Sequence, residues 1–342
     1  MKLHMKRWLV GTGVLAAGAA AFGAAAHSAS RYMLRLAMDR EGPAKLEENL
    51  RKISGSARDP AVSEALDRAK ERLEKAGCLP VETEGTDRVT LVGHWRECPE
   101  PKRILIAMHG WRSCWSRDFG LIAEFWNSEG CSVLYPEQRA HGESGGEYLG
   151  FGMLERHDCK KWIQWVCQRN PEGLPVYLVG ISMGAATVLM TGGMELPPQV
   201  RGIIADCGFT SPKEIWKHVA EENLHMHYGF YARAADGLCR KKIRLGSGDC
   251  STVAALRECE VPVLFIHGTD DSFVPISMTF ENYKACKGPK RLFVVPGAEH
   301  GMSWCVDPEG YRKSLREFWR DFDGPGFSPS PRGEREPLTG TK

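Results

Sequence analysis

Six short, nearly continuous apolar runs recur along the chain: Arg103–Met108, Cys131–Tyr135, Val176–Val179, Val200–Ala205, Val261–Ile266 and Arg291–Val295. Runs of this kind mark strands covered on both faces, because a half-exposed strand would alternate apolar with polar residues. Between them lie helical patterns at about Trp115–Glu129, Met153–Gln168, Met183–Thr191, Ser277–Ala285 and Pro308–Phe322. The alternation predicts an α/β fold: a mostly parallel, twisted sheet with right-handed crossovers and helices on both faces. Ahead of this unit the pattern predicts a packing helix over Pro60–Lys75, then strands at about Pro80–Thr83 and Asp87–Trp95. One interval breaks the rhythm. Thr210–Glu260 is far longer than a crossover needs, and its aromatic and amphipathic pieces predict a small helical cap over the sheet's C-terminal edge.

Composition removes several function classes. The 342 residues, 42% hydrophobic and 26% charged, suffice for a sizeable core. Forty-five basic against 43 acidic residues leave a formal charge of +2, so no field draws in nucleic acid and no nucleic-acid partner is expected. The twelve cysteines form no CxxC pair and no histidine lies at zinc-finger spacing. No P-loop, HExxH or EF-hand loop is present, and His225 with His227 would not share a helix face. No metal or cofactor is therefore expected, and cysteine usage does not settle the redox compartment.

The ends differ from the body. Lys2, Lys6 and Arg7 precede an apolar, Gly/Ala-rich run from Trp8 to Ala26, the pattern of a signal segment or a single membrane anchor. Residues 1–30 are accordingly read as that segment, which places the body at the cell membrane or outside the cytoplasm. Residues 31–323 are read as one catalytic domain with its cap at about 210–260. The Pro/Gly/Ser-rich stretch 324–342 carries too little apolar surface to order itself and is read as a disordered tail.

The chemistry-bearing motifs sit at strand ends. Val176–Val179 runs into Gly180-Ile181-Ser182-Met183-Gly184 and then an Ala-rich helix, which is G-x-S-x-G in strand-turn-helix context. Gly180 and Gly184 remove side-chain clashes at the bend so that the Ser182 hydroxyl projects. A serine hydroxyl is a weak nucleophile and needs an imidazole to take its proton and a carboxylate to orient that imidazole. Val261–Ile266 ends in a loop carrying Asp270 and Asp271, and Arg291–Val295 ends in one carrying His300. His300 is the expected base. Asp271 is preferred over its neighbour as the acid, with Asp206 a lower-ranked alternative that is expected to be a structural carboxylate. The oxyanion of acyl transfer needs two backbone donors: Met183 after the nucleophile, and Trp111 in the loop after Arg103–Met108.

The order Ser182, Asp271, His300, together with Arg139-Ala140-His141-Gly142-Glu143-Ser144 and Gly150-Phe151-Gly152, resembles the α/β-hydrolase superfamily. More narrowly, the chain is similar to bacterial membrane-anchored or exported hydrolases of the serine-aminopeptidase and esterase-like group, from about Leu36 to Phe322. The resemblance implies an α/β-hydrolase fold and a serine hydrolase forming an acyl-enzyme on a small-molecule acyl substrate. It favours esters or thioesters, the lone cap suiting small acyl groups; a peptidase or a catalytically silent scaffold are the alternatives. It also implies a supporting loop carrying Arg139, His141 and Ser144. Glu137 stands where the group usually has Asp, which puts one structural salt link of that loop in question.

Overall fold

The computed structural model describes residues 27–42 and 60–324; the apolar run Trp8–Ala26 and the tail 325–342 lie outside them. Eight strands form one sheet: β1 (Leu79–Glu84), β2 (Thr90–Arg96), β3 (Arg103–Met108), β4 (Cys131–Pro136), β5 (Val176–Ile181), β6 (Val200–Asp206), β7 (Val263–Gly268) and β8 (Lys290–Val295). Their order is β1-β2-β4-β3-β5-β6-β7-β8, with β1/β2 and β2/β4 antiparallel and every later pairing parallel. The helices are α1 (Pro60–Glu74), α2 (Trp115–Phe119), α3 (Ala123–Ser128), α4 (Glu155–Gln168), α5 (Met183–Gly192), α6 (Pro212–His218), α7 (Tyr228–Ile243), α8 (Thr252–Leu256), α9 (Ile276–Ala285), α10 (Ser303–Val306) and α11 (Pro308–Phe322).

The pleat explains the continuous apolar runs. Along β3, Ile104, Ile106 and Met108 face one core layer while Leu105 and Ala107 face the other. The first layer is filled by Trp162 and Ile163 of α4, Val188 and Leu189 of α5 and Leu256 of α8; the second by Leu73 of α1, Trp126 of α3 and Phe318 and Trp319 of α11. Strand β8 departs from the pattern. It is one of the two edges of the sheet and is only half-buried except at Val295, since among the described residues no strand pairs beyond it.

Helix α11 shows how local signals fix an element. Asp307 caps it by accepting the Gly310 amide at 2.8 Å, Pro308 occupies the first turn, and Tyr311, Leu315, Phe318 and Trp319 form the buried stripe. The helix expected over Trp115–Glu129 is instead two, α2 and α3. At the break stands Gly120, where an added Cβ would lie 2.6 Å from the Ser116 carbonyl oxygen and 2.7 Å from the backbone of Ala69. Contact with α1 therefore sets that position, and periodicity within the segment carries no trace of it.

In the long interval after β6, α6, a π-turn over Val219–Asn223 and α7 lie above the sheet's C-terminal edge. Helix α8 is different in kind, because Leu256 is buried in the core layer beneath the sheet. A helix over residues 27–38 packs on α7: Leu34 and Met38 share a core cluster with Ala235, Cys239 and Ile243. An ion pair between Lys242 and Asp39, 2.6 Å, holds its far end. Sequence periodicity did not single out this helix, which follows directly on the apolar leader.

Candidate active site

Ser182 stands between β5 and α5 with φ 56° and ψ −115°, a conformation that side-chain-bearing residues rarely adopt. The bend requires close backbone approach on both sides. A Cβ on Gly180 would lie 2.3 Å from Gly184, and one on Gly184 would lie 1.9 Å from the carbonyl oxygen of Met108. Both glycines of the motif are thus fixed by sterics, and the strain is held by the Ser182 amide, which donates to the Asp206 carbonyl at 2.9 Å.

Three residues from three strand ends meet there. The Ser182 hydroxyl lies 2.9 Å from His300 Nε2, and His300 Nδ1 lies 2.7 Å from Asp271 Oδ2. A carboxylate only accepts, so Nδ1 carries the proton and Nε2 is left to accept from the serine. The other Asp271 oxygen accepts the amides of Phe273 and Val274 at 3.0 and 2.8 Å. Asp270 does not reach the imidazole; it is exposed and accepts from the Thr269 hydroxyl. Asp206 is also elsewhere, accepting the Ser303 hydroxyl at 3.1 Å, and burial pushes its carboxyl up to about 6.

Electrostatics follow from this geometry. Burial works against the charged form of Asp271, but the facing His300 and the bonds from His267 and His300 outweigh it, and its carboxyl falls well below the ordinary carboxylate range. Burial likewise disfavours the His300 imidazolium, yet the Asp271 charge beside it holds the group well above an ordinary histidine.

The loop after β3 lies beside Ser182. Gly110 brings this loop against the nucleophile, since an added Cβ there would lie 3.5 Å from Ser182 Cβ. Among the described residues, neither the Trp111 nor the Met183 amide donates to a backbone acceptor outside its own element. The next amide, Arg112, is committed: with φ 48° it donates to His141 Nε2 at 3.1 Å. His141 Nδ1 in turn donates to the Arg139 carbonyl at 3.0 Å. Burial and the neighbouring His109 drive His141 down to about 3, so it stays neutral and keeps Nε2 as an acceptor.

The supporting loop is tied down at each of its marked residues. Arg139 makes two 2.6 Å bonds to Asp158 and pairs with Asp87 at 2.9 Å. Ser144 donates to the Glu137 carbonyl at 2.6 Å and accepts the Val92 amide at 2.8 Å. Glu137 pairs with His94 at 3.0 Å, so the longer carboxylate does form a link across to β2.

Several residues at the site carried no motif. His267 Nε2 lies 2.8 Å from the Val274 carbonyl and 3.1 Å from Asp271, so it is protonated there and donates, while Thr279 donates to its Nδ1 at 2.7 Å. His109 Nε2 accepts the Gln138 amide at 3.1 Å. Cys207, with φ 49°, is buried beside the imidazole, and burial pushes its thiol up to about 11. Its sulfur, a carboxylate oxygen of Asp271 and a nitrogen of His300 lie within 4.8 Å, which among the described residues is the one group able to converge on a metal ion. Two of those groups are already committed to the Ser182 relay. The twelve cysteines are all free thiols.

Above Ser182 opens an apolar cavity of about 90 Å³. Its walls come from Trp111, Phe151 and Phe209 around Ser182, from the cap, and from the helix over residues 27–38; among the described residues no charged side chain lines it.

Residues 99–230 match the family described as serine aminopeptidase, S33. Among curated proteins, the uncharacterised protein YqkD of Bacillus subtilis is 32% identical over 190 residues, which are 55% of this chain and 62% of that protein. The chain thus spans about three-fifths of that relative's length. Among solved structures, an esterase of Pyrococcus furiosus superposes with a TM-score of 0.60 at 24% identity, covering 74% of this chain and 94% of that one. An esterase from Exiguobacterium antarcticum gives 0.54 at 17% identity, covering 71% and 100%.

Proposed function

We propose that this chain, which has the fold of solved esterases and is similar over residues 99–230 to the serine aminopeptidase family, is a serine hydrolase acting on carboxylic esters or thioesters through Ser182, His300 and Asp271. The observation that carries this is the unbroken hydrogen-bonded succession from the Asp271 carboxylate through the imidazole to the Ser182 hydroxyl. In the reaction Ser182 Oγ attacks the acyl carbon while His300 Nε2 takes its proton. The tetrahedral oxyanion is held by the Trp111 and Met183 amides. Collapse breaks the bond to the leaving alcohol or thiol, which recovers the proton from His300, and water then releases the acid from Ser182 by the same route. Gly180 and Gly184 allow the bend, and the raised affinity of His300 for its proton stabilises the imidazolium formed at each step.

Esters are favoured over aminoacyl amides because an aminopeptidase must hold a free ammonium beside the scissile bond, and among the described residues the cavity over Ser182 offers it no carboxylate. The test is a comparison of kcat/KM for p-nitrophenyl acyl esters and aminoacyl p-nitroanilides. The reading expects esters to dominate by more than a hundredfold, and dominant amide turnover would replace it with a peptidase.

A further inference from the structure

The roof of the cavity is the least expected part of the site. The helix over residues 27–38 contributes Met33, Leu34 and Ala37 to the wall, and α7 contributes Tyr231 and Ala235. The helix is pinned by the residues that form the oxyanion loop. Trp111 Nε1 donates to the Ala37 carbonyl at 2.9 Å. The Arg112 guanidinium caps the helix end, donating to the carbonyls of Leu36 at 2.8 Å, Asp39 at 2.5 Å and Arg40 at 3.2 Å. Arg40 continues the tie to the Ser144 carbonyl at 2.7 Å. Residues far upstream of the catalytic motifs are therefore bound into the geometry of the site.

We infer that residues 27–38 form the acyl-binding wall of this enzyme, and that its substrates are esters of an apolar acyl chain lying between this helix and α7. The inference rests on Ser182 being the nucleophile. The lining is apolar almost throughout, from Ser182 up to Met33 and Tyr231, so each methylene laid along it is removed from water. Polar lining is confined to hydroxyls and indoles, so a charged or sugar-like acyl group would lose its hydration without replacement.

The deciding experiment uses the full chain and p-nitrophenyl esters from acetate to palmitate, beside hexyl and dodecyl acetates. Each buried methylene should raise kcat/KM by two- to about fourfold until the cavity is filled, so decanoate should exceed butyrate at least tenfold. Ala37→Phe should lower the decanoate-to-butyrate ratio at least tenfold. Met33→Trp, on a partly exposed position that tolerates change more readily, should lower it in the same direction. An optimum at acetate or butyrate, a dependence on alcohol rather than acyl length, or unchanged ratios in both folded variants would overturn the inference. Covalent labelling by a small fluorophosphonate separates the two levels. Labelling that needs Ser182 with no chain-length preference removes only the acyl-wall assignment, whereas labelling indifferent to Ser182→Ala removes the hydrolase reading itself.

Discussion

At the scale of single residues, the site is an arrangement in which each proton has one place to be. Asp271 fixes the His300 tautomer, and the pair shifts both titrations in opposite directions. Only neutral His300 can accept the Ser182 proton, so the acid limb of kcat/KM should lie above the pH of an ordinary histidine, ~6.5. Asp271→Asn should move that limb to lower pH and cut kcat by about 10⁴-fold. A limb that stays in place in the variant would mean that another group sets it. The same couple contributes to folding. Stability from Asp271 is present above the ordinary carboxylate value and is lost as pH falls through its depressed value; that from His300 is present below ~6.5 and is lost as pH rises through its raised value. In urea unfolding, the gap between wild type and Asp271→Asn should therefore be widest in mildly acidic solution and narrow toward alkaline pH.

Among the elements, the supporting loop between β4 and α4 depends on one buried cation. Arg139 is 4% and Asp158 2% exposed, and burial pushes the Asp158 carboxyl up to about 6 even with the guanidinium against it. Arg139→Ala leaves that carboxyl unpaired and should cost about 3–5 kcal/mol in urea unfolding near neutral pH. A loss below about 1 kcal/mol would show that the loop is held by Ser144 and His141 instead. How much of this was legible varies with the physics. The central strands could be read because burial on both faces leaves a continuous apolar run, and the elbow because Gly180 and Gly184 are demanded by backbone clashes within a few residues. Helix α2 could not be separated from α3, since Gly120 answers to Ala69 across the fold. Cys207 was silent for a related reason: it acquires its role from Asp271 and His300, far along the chain, whereas His267 stands only four residues before Asp271 but belongs to no motif. The helix over residues 27–38 was missed because its buried Leu34, Leu36 and Met38 follow an apolar leader that masks their spacing.

For the whole molecule, an α/β sheet delivers loops from β5, β7 and β8 to one edge, and a roof drawn from both sides of the sheet in sequence closes over them. The basic-then-apolar start of the chain, Lys2 to Ala26, leads into that roof, and we propose that it directs the protein to the membrane or across it. Fractionation of cells expressing the full chain should recover it with membranes or outside the cytoplasm; recovery solely from the cytoplasm with the N-terminus intact would contradict the proposal. Central to everything above is that Ser182 is a nucleophile activated by His300. The direct measurement is peptide mass mapping after exposure of the folded protein to a fluorophosphonate. The account predicts one adduct, on the peptide bearing Ser182, formed by wild type and suppressed in His300→Ala. An unmodified Ser182 in folded protein, or equal labelling without His300, would contradict it.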